Sequence, residues 1–179
     1  MLLQKFCPNQ RVDSLDQIDL ADLSEAGIRG IIVDIDNTLV EWDRDTLGDK
    51  SRAWVTKAKE LGFVVCLVSN GRTERVHRLA AELGVPGFAN AIKPRKKGFL
   101  QALAQLGTAP DQTAIVGDQI FTDVLGGNRT GLYTIWVRPL SDKELVTTQF
   151  MRRLERRLVR KLEDKGLLRR MPNWEEKVG

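Results

Sequence analysis

"GIIVDIDNTLVEWD", residues 30–43, sets three branched aliphatics, Ile31, Ile32 and Val33, directly before Asp34 and adds a second acid, Asp36, two positions later. A run of branched residues fills a strand that is buried on both faces, the habit of strands in parallel sheets. Two carboxylates at the end of such a strand need a reason.

The rest of the chain supplies the sheet. "IRGIIVDI" is predicted as a buried strand, "KSRAWVTKAKELG" as a helix stopped by Gly62, "FVVCLVS" as a strand and "RTERVHRLAAELG" as a helix ended by Gly84. A short strand near "GFANAI", a helix in "KKGFLQALAQLG", a strand in "TAIVG", a helix from "IFTDVLGGNRTG" and a last strand in "YTIWVR" follow. The βα alternation with short connections implies an α/β fold, a Rossmann-like parallel sheet with helices on both faces. Ligands bind such sheets beyond the carboxyl ends of the strands, where the strand order reverses. Asp34 and Asp36 therefore stand where a crevice is expected.

Composition bounds what they can do. With 179 residues, 42% hydrophobic and 29% charged, the chain fits one globular domain and is not disordered. No run approaches the roughly 20 apolar residues that span a bilayer, and "MLLQKFCPNQ" lacks the long apolar stretch of a signal peptide, so a cytoplasmic protein is expected. Cys7 and Cys66 are too few for a disulfide framework, and Cys66 in "FVVCLV" reads as a small buried hydrophobe. The net charge of +4 is uneven: residues 149–170 hold nine Lys/Arg and three Asp/Glu, +6, so the other 157 residues sum to −2. A mildly acidic domain, residues 1–148, carrying one basic helix, residues 149–170, describes this better than a uniformly basic nucleic-acid binder. Residues 171–179, with Trp174, read as a loosely ordered tail.

A nucleotide-binding Rossmann domain would place a glycine-rich loop after the first strand, to let the backbone approach a pyrophosphate. Here acids stand instead. Asp34-Ile35-Asp36-Asn37-Thr38 alone could be turn and cap chemistry. The other strand ends argue otherwise. The second ends in Ser69-Asn70-Gly71, donors for an anion; "IKPRKKG" places Lys93 before a proline, which holds the chain extended there. "VGDQIFTD" carries Asp118 and, five residues on, Asp123. On one continuous helix these would point about 140° apart, so they converge only if Asp118 lies at the strand end and Asp123 in the following turn. Two acids, a Ser/Asn pair, a lysine and two acids, in that order, suit phosphoryl transfer through an aspartyl phosphate. A carboxylate attacking a phosphorus ringed by negative oxygens needs a cation, and oxygen ligands point to Mg²⁺. Lysine and hydroxyl donors hold the phosphoryl oxygens, and a second acid protonates the leaving oxygen and then activates water.

On "DIDNTLVEWD", "VSNGR", "IKP" and "VGDQIFTDVLGGNRTGLYTI", the chain from about Phe6 to Leu168 resembles haloacid dehalogenase (HAD) superfamily phosphatases. It is more closely similar to the subclass IIIA, YqeG-type branch, itself similar to mitochondrial and plant phosphatidylglycerophosphate phosphatases. The resemblance implies Asp34 as nucleophile and metal ligand and Asp36 as general acid/base, with its backbone carbonyl on the metal. It implies Thr38, Ser69 and Asn70 as phosphate-binding residues and Lys93 as the residue steadying phosphate and nucleophile. Asp118 would complete the Mg²⁺ site with Asp123 assisting. That branch more often has a second Asn at Gly71, so the substrate contact of such a side chain is missing here.

Thr38 to Ser69 holds one helix and one strand, and Ser69 to Lys93 one helix and a short strand, leaving no room for a cap domain. An open site suits a phosphate carried by something large: a lipid bilayer, a protein or a nucleic acid. In the tail, Phe150, Leu154, Leu158 and Leu162 recur at four-residue steps, flanked by Arg152, Arg153, Arg156, Arg157, Arg160 and Lys161. This basic amphipathic helix could dock on an anionic membrane surface, placing the protein peripherally on the inner face of a membrane; packing on the sheet or binding RNA are the other uses of the pattern. The leading expectation is a Mg²⁺-dependent phosphomonoesterase acting on phosphatidylglycerophosphate. The alternatives are a phosphatase of a protein, nucleic-acid or soluble phosphate, or a non-enzymatic RNA- or ribosome-binding module. A response-regulator receiver domain uses the same groups in another order, its lysine last. His77 lies in a helix away from any strand end, and Trp42 is left between walling the site and anchoring the acidic loop.

Overall fold

The computed structural model describes residues 3–42, 44–141 and 146–170, and the side chains of these except 146–149. The expectation for Trp174 and residues 171–179 lies outside them. Six parallel strands form one sheet: β1 (Gln10–Val12), β2 (Gly30–Val33), β3 (Val64–Val68), β4 (Gly87–Phe88), β5 (Thr113–Gly117) and β6 (Tyr133–Val137). Their order across the sheet is β1-β6-β5-β2-β3-β4. From β2 the chain winds outward through β3 and β4 on one side, then returns to β5 and β6 on the other. The strand order reverses between β2 and β5, so the crevice opens there.

Every residue of β2 and of β5 is buried, which their apolar runs require. Side chains alternate between faces. Ile31, Val33, Val65, Leu67, Val116 and Ile135 meet helices α1 (Leu20–Glu25), α2 (Asp49–Glu60) and α3 (Thr73–Leu83). Ile32, Cys66, Val68 and Ile115 turn to the opposite face, against Phe99, Ala102 and Leu103 of α4 (Lys96–Leu106). Helix α5 (Leu125–Thr130) lies on that face too, and Gly127 lets it descend until a Cβ there would be 2.5 Å from Ile115 Cγ2. Between the strands after β2 and before Lys93 the described residues hold only α2, β3, α3 and β4, with no inserted cap.

Two features differ from the sequence expectation. The edge strand β1 and helix α1 fall in the first 28 residues, where no periodicity long enough to read was present. Helix α6 (Val146–Asp164) turns a different stripe inward: Arg152, Glu155, Val159 and Leu162 are buried, whereas Phe150 is 60% exposed. Val159 packs with Ile120, Val124 and Trp136, with Leu158, Leu168 and Phe6 around them. The far end of α6 is tied to β1, where Arg11 bonds Glu163 at 3.0 Å and stacks 4.7 Å over the Trp136 ring.

Candidate active site

Pairing between β2 and β5 continues one residue past the strand, because the Asp34 amide donates to Val116 O at 2.9 Å. That bond fixes the Asp34 side chain at the switch point. The chain then turns tightly, with the amides of Thr38, Leu39 and Val40 directed at Ile35 O. Asn37 takes a left-handed conformation (φ 58°), which asparagine tolerates better than most residues, and its Oδ1 accepts from the Trp42 amide at 3.1 Å. The Trp42 ring itself is 39% exposed on the loop.

Lys93 reaches in from the loop after β4, and its Nζ bridges Asp34 Oδ1 at 2.5 Å and Asp123 Oδ1 at 2.6 Å. Its peptide bond to Pro94 is cis. Asp118 follows β5 directly, and Asp123 sits in a π-helical turn, Ile120–Val124, whose geometry brings it back beside the strand end. Asp123 Oδ2 accepts from the Gln119 amide at 3.2 Å and from the Thr122 hydroxyl at 3.3 Å. Gly117 is required here, since a Cβ would overlap the Asp123 carboxyl. One carboxylate oxygen from each of Asp34, Asp118 and Asp123 lies within 4.8 Å of the others, and all three residues are buried.

The Asp36 carboxylate stands outside that trio. Its Oδ2 accepts from Ser69 Oγ at 3.2 Å, and its Oδ1 is paired with Arg75. Ser69 is fully buried and also accepts from the Gly71 amide at 2.8 Å. Two expected phosphate-binding side chains are engaged elsewhere. Thr38 is buried with its hydroxyl directed at Asp118 Oδ1, 3.4 Å away. Asn70 brackets the backbone of Lys93, accepting from its amide at 2.8 Å and donating to its carbonyl at 3.4 Å, which holds the lysine in place.

Three further residues belong to the site and carried no signal in the sequence. Arg75, from α3, pairs with Asp36 and donates to Arg44 O at 2.9 Å. Arg152 is the main correction: expected among the solvent-facing cations of the tail, it is buried, with its guanidinium paired to Asp118 Oδ2 and donating to Asp118 O at 2.6 Å. Glu155 bonds Arg152 at 3.0 Å and accepts from the Phe121 amide at 3.1 Å. Both arginines meet partners more than thirty residues away, which helical periodicity cannot register.

Among the described residues, the buried charged ones are Asp34, Lys93, Asp118, Asp123, Arg152 and Glu155, and all six are in this cluster. Four carboxylates against two cations leave a formal excess of two negative charges. The excess is felt. Burial, reinforced by Asp123, pushes Asp118 up to about 7 even against Arg152. Burial likewise raises Asp34 well above its ordinary value despite Lys93. Burial opposes the Lys93 charge, but Asp123 and Asp34 outweigh it and raise its pKa. A hard divalent cation with oxygen preference, Mg²⁺, fits both the donor set and the missing charge.

The metal-free protein is expected to lose stability as pH rises. Asp34 and Asp118 hold protons more tightly folded than unfolded, where carboxyls titrate near about 3.9, so the folded state is the more protonated one above that value, up to about 7 for Asp118. Glu155, raised by burial, acts in the same direction, whereas the raised Lys93 contributes fully throughout this window. Thermal melts in EDTA should therefore fall from about pH 5 to pH 8, and the increment from added Mg²⁺ should grow over the same range. A flat EDTA profile would mean that the buried charge is balanced by other groups.

Comparison with known proteins agrees with this geometry. Residues 10–131 match the haloacid dehalogenase-like hydrolase family. A probable phosphatase YqeG of Bacillus subtilis (strain 168) is 39% identical over 176 residues, covering 98% of this chain and all of that protein. Phosphatidylglycerophosphate phosphatase 1, chloroplastic/mitochondrial, of Arabidopsis thaliana is 30% identical over 92% of this chain, which spans half of that longer protein. Among solved structures, the cobalt-bound deoxy-D-mannose-octulosonate 8-phosphate phosphatase (YrbI) of Haemophilus influenzae superposes with a TM-score of 0.53 at 18% identity, over 63% of this chain and 69% of that one, a likeness of fold. The gathering of Asp34, Lys93, Asp118 and Asp123 at the β2/β5 switch point, together with a family match over most of the chain, places the protein among the haloacid dehalogenase-like hydrolases.

Proposed function

We propose that Asp34 is the nucleophile of a phosphomonoester hydrolase whose substrate is a membrane-borne lipid phosphate of the phosphatidylglycerophosphate type. The chain is a phosphatase of its family, and Mg²⁺ is the cofactor that its acidic trio accommodates. The observation that carries the reading is Lys93 Nζ lodged between Asp34 and Asp123, which holds Asp34 Oδ1 and leaves Oδ2 for attack. Attack on phosphorus forms an aspartyl phosphate while the ester oxygen leaves, taking its proton from Asp36. Asp36, kept in place by Arg75 and Ser69, then removes a proton from water, which displaces Asp34 and releases inorganic phosphate. Asp118, Asp34 and the Asp36 carbonyl would hold Mg²⁺, with Asp123 assisting through Lys93. The bound cation offsets the charge of the transferring phosphoryl oxygens. Ser69, once its hydroxyl turns from Asp36, and Lys93 would donate to those oxygens, while Thr38 and Asn70 act one step back, on Asp118 and Lys93.

The lipid substrate rests on the surroundings of the site. Among the described residues no cap covers it, and Trp42, Ile92, Leu140, Phe150 and Met151, all exposed, sit on the loops and helix start at the same end of the sheet. Leu140 is tied there by its amide, which donates to Asn37 O at 2.9 Å. Arg153, Arg157 and Lys161 are exposed on α6. No helix among the described residues is long and apolar enough to cross a membrane. Attachment in this proposal is peripheral, through these exposed cations to an anionic inner face. Residues 1–148 and the helix after them act as one catalytic unit in this reading, because α6 contributes to the site.

A substrate panel tests it: lipid phosphates in mixed micelles against sugar phosphates, nucleotides, phosphopeptides and RNA 5′-phosphates. Preference for any soluble class by kcat/KM overturns the lipid assignment and leaves the phosphatase. A second measurement isolates docking. Changing Arg153, Arg157 and Lys161 together to Gln should weaken binding to anionic vesicles on the order of 100-fold, at about 1 kcal/mol for each charge. Hydrolysis of p-nitrophenyl phosphate should stay within twofold or so of wild type, since these side chains do not reach the acids. Arg152 is left out because it is buried. Wild-type protein that ignores anionic vesicles at low salt, or prefers RNA to them, ends the membrane reading.

A further inference from the structure

We propose that Arg152 is a positioning residue for the cation site, so that α6 sets the affinity for Mg²⁺. The inference rests on the reading of Asp118 as a ligand. Arg152 takes hold of Asp118 twice, at its carbonyl and at Oδ2, which leaves Oδ1, approached by the Thr38 hydroxyl at a long 3.4 Å, as the oxygen to offer a cation. Trp136 Nε1 donates to the same carbonyl at 2.8 Å. Glu155, one turn along α6, orients Arg152 and accepts the Phe121 amide at the start of the turn that carries Asp123. The segment that leads from Asp118 to Asp123 is thus held at Asp118 and at Phe121 by one pair of side chains on one helix.

Packing alone does not account for that pair. Val159 and Leu162 already bury the helix, and a buried ion pair is often replaceable by apolar residues with no loss of stability. What apolar residues cannot do is fix a carboxylate rotamer. A guanidinium can, because its rigid fork addresses two acceptors in one plane, and an ammonium cannot. Groups that orient metal ligands in this way typically alter metal affinity by about 10- to 100-fold when removed.

The test is calorimetric titration of Mg²⁺ into the metal-stripped full chain, with thermal melts beside it. R152Q should weaken the Mg²⁺ Kd by about 10- to 100-fold. R152K should restore the charge but little of the affinity. Should R152Q leave Glu155 unpaired and fail to fold, R152M/E155Q removes the buried charges together and keeps an acceptor for the Phe121 amide; it should show the same weakening. A Kd that is unchanged or tighter in the folded variant overturns the proposal. Full rescue by R152K overturns it as well, since charge and not geometry would then be the cause. If wild type itself binds no Mg²⁺, the assignment of Asp118 falls too, which separates failure of the earlier reading from failure of this one.

Discussion

Asp34→Asn should remove turnover almost entirely while the fold persists. The amide is nearly isosteric, and it can still accept from Lys93 through its oxygen, so the contacts around β2 survive. It cannot form an acyl phosphate under mild conditions, because an amide nitrogen or oxygen is a far poorer nucleophile than a carboxylate. Loss of a covalent nucleophile in a well-studied hydrolase costs on the order of 10⁶ in kcat, and a comparable loss is expected here. Beryllium fluoride with Mg²⁺ should give a stable adduct on wild-type Asp34 and none on the variant, a readout independent of turnover. Activity within tenfold of wild type, on any substrate that wild type hydrolyses, would move the nucleophile elsewhere; Asp36 is a poor candidate, its carboxylate being held by Arg75 and Ser69.

The acids were legible because they stand at strand ends, and strand ends are where apolar runs stop. Ile31-Ile32-Val33 before Asp34, and Ala114-Ile115-Val116 before Asp118, announce the carboxyl edge of a buried sheet without reference to any partner. Lys93 was legible through its place in the order of groups. Helical residues that act across the fold were not. Arg75 and Arg152 have the same local surroundings as Arg78 and Arg153, solvated cations on amphipathic helices, and only the sheet order brings them to Asp36 and Asp118. The inward stripe of α6 is legible only in part for the same reason. Periodicity selects Phe150, Leu154, Leu158 and Leu162; Leu162 is buried and Leu158 packs on the core, but Phe150 stays exposed and Arg152 and Glu155 turn inward beside Asp118. Thr38 and Asn70 show the reverse: polar types suited to an anion are engaged by neighbouring protein groups.

The second large effect is expected at Asp118, and the buried pair changes which substitution reports it. Asp118→Ala would leave the Arg152 guanidinium buried beside Glu155 with its main acceptor gone, and breaking a buried pair in this way costs about 3 to 5 kcal/mol. Loss of activity there would mix metal with fold. Asp118→Asn keeps an oxygen for the fork and removes one of the two excess negative charges, so the metal-free protein should melt at a temperature near or above wild type at neutral pH. Its Mg²⁺ affinity should fall by more than the roughly 100-fold upper limit expected for an orienting residue, since a direct ligand is lost. Activity at low Mg²⁺ should fall in proportion and recover in part as Mg²⁺ is raised, whereas Asp34→Asn should not recover at any concentration. EDTA should silence wild type. The combination of a stable fold, a weakened cation site and a rescuable rate is what distinguishes a ligand from a structural acid; an Asp118→Asn protein with wild-type activity at low Mg²⁺ would remove Asp118 from the cation site.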